Sequence, residues 1–315
     1  MKIRSITYFF NPGWPLDESK LHAADNFLRT AKAAYQNAGY EVQTTRLATP
    51  SFTRILGEAH LDETPALANQ LASAMQSMDA EYASLGPALP EMPASYSIIP
   101  EAIAASENIF FSGEMASAEK GISLPAIKAC ADVIVRAAIL SPDGFANLRF
   151  TALANVPAGG PFFPAAYHDS DEPAFALAIE AADLAVDAFS RQKTVDGGRK
   201  ALIASLELHG KKLTQIAKAL NLNFIGLDFS LAPFPDDAIS LGGAMEHLGV
   251  PKVGLHGSLA AATILTESIQ KADFLHTGFN GMMMPVLEDS VLAKRAAEGT
   301  LTVKDLLLYS AVCGA

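Results

Sequence analysis

The stretch covering residues 223–286 constrains the fold more than any other. It holds three short apolar runs, each closed by polar or small residues: Asp228 and Ser230, then His256-Gly257-Ser258, then His276-Thr277-Gly278. Runs this short, bounded by Gly and Pro, predict buried strands, and the segments between them predict helices. If the strands are parallel neighbours, their C-terminal ends gather at one rim, where α/β folds bind ligands. Strands ending at Asp228, Leu255 and Leu275 are therefore expected to face a shared pocket.

Upstream, the same alternation continues. Strands are expected at 3–10, 41–46, 82–86, 108–112 and 148–154. Helices are expected from Asp17 to Gly39, at 100–105 after a proline-rich loop at 87–100, and at 122–140, which reads as largely buried. Phe175, Ile179, Ala182, Val186 and Phe189 follow helical spacing, with Glu180, Asp183 and Asp187 opposite. Gly197-Gly198 reads as punctuation before a helix carrying Leu206, Leu213, Ile216 and Leu220. Eight strands alternating with helices predict an α/β chain forming a single domain over 1–315.

Half of the residues are hydrophobic and 18% are charged, enough for a large core and unlike a disordered chain. A net charge of -11 argues against a nucleic-acid groove and against an anionic membrane surface. Cys130 and Cys313 lie in no CxxC pair, so no disulfide framework or zinc knuckle is expected. Cys130, on the apolar 122–140 segment, is expected to be a buried, inert thiol. No run approaches the ~20 apolar residues of a membrane span, and a cytoplasmic location is expected.

Four constellations carry candidate chemistry. In Tyr167-His168-Asp169-Ser170-Asp171-Glu172-Pro173, His168 is a candidate proton carrier, and Asp169 and Asp171 are candidate oxygen ligands for a divalent cation. The plainer reading makes Asp171 the cap of a following helix. Asp228, ending an apolar strand, is a candidate base, with a structural hydrogen bond as the alternative. His256, with Gly257 and Ser258 opening a helix, suits acid–base work and an anion; the alternative is an ordinary Ser cap. His276 and Asn280, with Glu114 and Asn155 just past strand ends, are candidate substrate contacts. Gly242-Gly243 inside a helix points to close packing or ligand approach. No P-loop, GxGxxG, HExxH or GxSxG motif is present.

The segments NVPAGGPFFPAAYHDSDEPAFALAIEAADL, GLDFSLAPFPDD, LGVPKVGLHGSLAAAT and LLYSAVCG together resemble the uncharacterised family called domain of unknown function seven-one-one, of the UPF0210 type. That resemblance implies the ten-stranded α/β barrel of ribonucleotide reductase and pyruvate formate-lyase. It also implies that the chain continues past its Cys313-Gly314, leaving the barrel incomplete at the C-terminus. It carries no radical chemistry over, because no glycyl-radical loop is recognisable and nothing pairs with Cys313. The expected function is an enzyme acting on a small anionic metabolite by acid–base chemistry, with Asp228, His168 and His256 as its acid–base groups. The rival is a non-catalytic metabolite-binding or regulatory protein with the same pocket; homo-oligomerisation is left open.

Overall fold

The computed structural model describes residues 1–314, a mixed α/β fold with one large sheet. Its strands are β1 (Lys2–Phe9), β2 (Val42–Ala48), β3 (Tyr82–Ala88), β4 (Ile109–Ser117), β5 (Gly121–Ile122), β6 (Phe150–Ala154), β7 (Ala174–Glu180) and β8 (Asn223–Asp228). Hydrogen-bonded neighbours run β5-β4-β3-β2-β1-β7-β8, and β6 also pairs with β4. β2, β3, β4 and β6 are parallel, so their C-terminal ends share a rim; β5 is a short antiparallel return.

The helices are α1 (Glu18–Asn37), α2 (Phe52–Leu56), α3 (Thr64–Met75), α4 (Ala94–Ala104), α5 (Leu124–Ala137), α6 (Phe145–Leu148), α7 (Ala182–Arg191), α8 (Val195–Lys218), α9 (Leu241–His247), α10 (Ser258–Lys271), α11 (Ser290–Ala297) and α12 (Val303–Cys313). The chain packs as two compact units, one of residues 5–177 and 220–225, the other of residues 1–4, 178–219 and 226 onward.

In the first unit the two faces of the sheet differ in chemistry. On one face Tyr8 and Phe175 meet Phe27 of α1, and Phe111 meets Phe52 of α2 edge-on. These contacts bury apolar area, worth roughly 1.5–3 kcal/mol per large side chain. The opposite face is covered by the segment at 159–168 rather than by a helix. There Phe163 and Ala166 pack on Phe9, Ala48, Ala174 and Ala176, and the Thr7 hydroxyl donates to the Pro161 carbonyl at 3.0 Å.

In the second unit the helices pair α7 with α8 and α9, and α10 with α8 and α12. One buried carboxylate, Asp289, serves two helix starts. It accepts from the amides of Leu241 and Gly242 at α9 and of Val291 and Leu292 at α11, and from the Ser240 hydroxyl. Gly242 packs against Val291 and Leu292, so close helix packing accounts for it. Arg295 bridges Glu246 and Glu298 with contacts of 2.7–3.1 Å.

Several expectations are corrected. The span 174–180 is a strand, not the start of an amphipathic helix. All seven residues are buried, and a strand covered on both faces shows a continuous apolar run whose spacing imitates a helix. Asp171 consequently caps no helix. Gly197-Gly198 lies inside the first turn of α8, where Gly198 admits the Phe189 ring. The 87–100 loop gives way to α4 at Ala94, and Pro100 is tolerated inside that helix. The run before Leu255 forms no strand: Gly254, at φ 96°, lies against the Thr300 carbonyl, and the segment turns there. The run before His276 survives only as a single parallel bridge between Leu227 and His276. On α5 the buried stripe is Ala126, Cys130, Val133 and Ala137, while Ile127 and Ile134 face solvent.

Candidate functional site

The C-terminal rim of the first unit gathers four of the residues singled out from sequence. Glu114 lies near the end of β4. Asn155 follows β6 at φ 58°, a left-handed conformation that Asn tolerates, with its amide on the Ala116 carbonyl. His168 pairs with Pro50 beside the end of β2, its amide donating to the Thr49 carbonyl. Its Nε2 lies 2.9 Å from the Glu172 carbonyl and its ring packs on Phe9. Because a carbonyl only accepts, Nε2 donates, and in the neutral ring Nδ1 is the basic nitrogen. Asp169 is exposed.

Tyr167, between His168 and Asn155, donates its hydroxyl to the Val156 carbonyl at 2.8 Å. Burial pushes its phenol up, the Glu114 and Asp169 carboxylates push the same way, and Arg54 opposes them. Tyr96 donates to the Glu114 backbone carbonyl, and Lys120 pairs with Glu91 and lies 3.7 Å from Glu114.

Below this rim the loop-covered face of the sheet, apolar around Phe9, Ala48 and Ala176, also carries a row of polar side chains. Ring contact with Phe163 puts Phe110 on that face. Strand alternation adds Ser112 and Glu114, and register with Phe110 adds Ser84. Arg46 lies there too, its guanidinium 5.7 Å from the Tyr82 ring centre and 5.0 Å from that of Phe163, its Nε donating to Thr44. Ser5 and Thr7 continue the face on β1, their hydroxyls 3.3 Å apart. Ser112 is fully buried; its Oγ and the Glu114 carboxylate oxygen that faces Lys120 at 3.7 Å have no hydrogen-bond partner among the described residues. Arg46 and Ser112 were not singled out from sequence, and Tyr167 was named only as part of the 167–173 cluster, with no role. The one available signal was an Arg inside an alternating strand, where charge is costly unless used.

Apart from Asp171, the remaining candidates fall in the second unit. Asp228, 1% exposed, accepts from the Ser230 amide and hydroxyl (3.0 and 2.6 Å) and from the amides of Phe279 (2.7 Å) and Asn280 (3.0 Å). Burial pushes its carboxyl up, and these four donors pull the other way. Asn280, at φ 47°, accepts from the Phe229 amide and donates to the Leu227 and Thr277 carbonyls. Gly226 is required beside this knot, since a Cβ there would lie 2.6 Å from the Leu275 carbonyl. His276 is exposed, stacked on Phe274 at 3.7 Å, and donates to the Ala272 carbonyl.

His256 and Gly257 line a different place, an open cleft of about 320 Å³ with Asp305 and Tyr309. Ser258 is not the cap of α10. Gly257 takes that position, and the Ser258 hydroxyl donates to the Leu255 carbonyl and accepts the Gly254 amide. Asp171 accepts from the Asn11 amide at 3.1 Å. Among the described residues no group of three or more His, Cys, Asp or Glu side chains is arranged to hold a metal ion, and no helix is long and apolar enough to cross a membrane.

The family model described as Uncharacterised ACR (DUF711) matches residues 1–315. A UPF0210 protein of Pyrobaculum arsenaticum is 30% identical over 225 residues, covering 68% of this chain and 49% of that protein. One from Acetivibrio thermocellus is 28% identical over 229 residues, 68% of this chain and 51% of its own length. One from Neisseria meningitidis serogroup B is 25% identical over 306 residues, 91% and 68% of the two chains. The chain thus spans about half the length of several curated relatives it matches. With the match running along every residue, the chain belongs to the uncharacterised DUF711 family, whose curated members are the UPF0210 proteins.

Proposed function

We propose that the chain is an enzyme acting on a small anionic metabolite by acid–base chemistry, without a glycyl radical. The observation that carries this reading is the row of polar side chains on one face of the sheet in the first unit. A face serving only as core would be apolar, because buried polar groups cost free energy unless they are hydrogen-bonded. Instead Ser5, Thr7, Arg46, Ser84, Ser112 and Glu114 run along it toward the rim. Arg46 supplies positive charge for an anion, and the Ser112 hydroxyl an additional hydrogen bond. Glu114 and the His168 ring are the proton-transfer groups, with Tyr167 and Asn155 beside them. Asp228 and Asn280 act as a clamp on the chain, and His256 with Gly257 borders a separate cleft.

The sheet fits a larger reading as well: a single domain of the ten-stranded barrel type. The parallel strands with helical crossovers support it, as does the bridge that adds residue 276 to the outer edge of β8.

A thermal-shift screen against small anionic metabolites and divalent cations tests the function. A ligand at 100 times its dissociation constant stabilises the native state by about 2.7 kcal/mol. Arg46→Gln is expected to abolish that stabilisation. Glu114→Gln is expected to keep it while lowering turnover roughly 10²–10⁴-fold. Binding without turnover, unaffected by Glu114→Gln, would instead favour a metabolite-binding protein.

A further inference from the structure

Helix α5 carries two apolar stripes, and among the described residues one of them is buried. Ala126, Cys130, Val133 and Ala137 are buried. Around the helix from them, Leu124, Ile127, Ala131, Ile134, Val135 and Ala138 form a second stripe about 100° wide at 100° per residue, and every one of them is exposed. The four large residues are 38–74% exposed, and Ile139 just beyond the helix is 85% exposed. Isolated exposed aliphatics are ordinary, whereas a contiguous stripe on one helix marks an interaction site. The flank of this stripe carries Lys128, Asp132 and Arg136, alternating in sign.

We propose that this stripe pairs with the same stripe of a second copy of the chain, antiparallel across a two-fold axis. The sequence is complementary to its own reverse. Ile127 and Ile134 lie equally far from a centre beside Ala131, so Ile127 meets Ile134 of the partner subunit, and the reverse. Ala131 at the axis is small enough for the two backbones to approach closely. Leu124 falls beside Ala138 of the partner subunit, large against small. Lys128 lies within about 3 Å along the axis of the level of Asp132 of the partner subunit, within reach of its long side chain, so each crossing edge joins opposite charges. A symmetric contact of this kind satisfies both copies at once and closes on itself. The inference is independent of the proposed enzymatic reading.

The test uses the chain of residues 1–315 carrying Cys313→Ser, to remove the half-buried thiol. Sedimentation equilibrium at tens of micromolar is expected to give a dimer. Ala131→Cys, at the axis, is expected to form a covalent dimer under mild oxidation, while an exposed control, Glu119→Cys, does not. Lys128→Glu and Asp132→Lys are each expected to weaken the dimer about tenfold, and the double exchange to restore it. Circular dichroism and melting on each variant report folding separately from association. A monomer at these concentrations would overturn the proposal. So would a dimer that Ala131→Cys does not crosslink, or single charge reversals that the double exchange fails to rescue. A different polypeptide or a lipid surface occupying the stripe of a monomeric chain would likewise overturn it.

Discussion

Replacing Asp289 removes one acceptor from two helix starts at once. In Asp289→Ala the amides of Leu241 and Gly242 at α9, and of Val291 and Leu292 at α11, lose their partner, as does the Ser240 hydroxyl. Loss of a cap costs about 1 kcal/mol per helix, and each buried donor left unpaired about 1–3 kcal/mol. Some of these groups will reach water once the side chain is gone, so the expected total is about 3–5 kcal/mol. Asp289→Asn is the sharper variant. One oxygen serves α11 and the Ser240 hydroxyl, the other serves α9. A single amide oxygen can serve only one helix, so about half of the loss is expected. Urea titration gives both values, with an unchanged m-value as the check that the native state still unfolds as a unit. An alanine variant within 1 kcal/mol of the parent, or an asparagine variant equal to it, would refute the shared-cap account.

Asp228→Ala is expected to destabilise the protein by several kcal/mol, on the scale of about 1–3 per orphaned buried amide, and to strip hydrogen-exchange protection from Ser230, Phe279 and Asn280 together; retained protection would count against the clamp. Burial pushes the Cys130 thiol up to about 11, so a thiol reagent at pH 8 should label Cys313 in the native state and Cys130 only after denaturant. For Glu246, burial raises the carboxyl but its bonds to Arg295 and Val253 outweigh this and leave it lowered. Its folded form therefore titrates below the unfolded value of about 4.3. The stability it contributes is present above that pH and lost as pH falls through the depressed value. Arg295→Met should flatten that acid limb and cost about 3 kcal/mol, read from melts between pH 3 and 7; an unchanged acid limb would exclude the network as its source.

Strand and helix order was legible wherever one signal acted alone. β1 and β2 carry β-branched or aromatic residues closed by turn residues, and α1 begins one residue after the Asp17 that caps it. The errors share a physical origin. β7 is buried on both faces, which erases the two-residue period, and its alanines and phenylalanine then fit a helix equally well. The segment before Leu255 is as apolar as a strand, but its chain is committed to the close pass of Gly254 against Thr300, which depends on residues 46 positions away. Site legibility divides in the same way. Asn155 was found because it follows a strand end, Glu114 because β4 reads from sequence as stopping at Ser112 although it runs on to Ser117, and His168 because it sits in a dense polar cluster. Arg46 and Ser112 were not, because their meaning comes from sharing one face of three strands distant in sequence. Asp289 had no signal beyond an ordinary cap for α11; its second helix is visible only in space.

The Asp228–Asn280 exchange also governs how the edge of the second unit can move. Leu227 gives its amide to Leu275 and takes that of Thr277, Phe229 gives its amide to the Asn280 side chain, and Leu231 gives its own to Gly281. A one-residue slide of 275–281 along β8 would misalign every one of these donors at once, and the Asn280 side chain fits only a backbone already turned to φ 47°. The segment therefore has no neighbouring register to creep into. To leave its place the segment must give up these bonds together, because no shifted register keeps a subset of them.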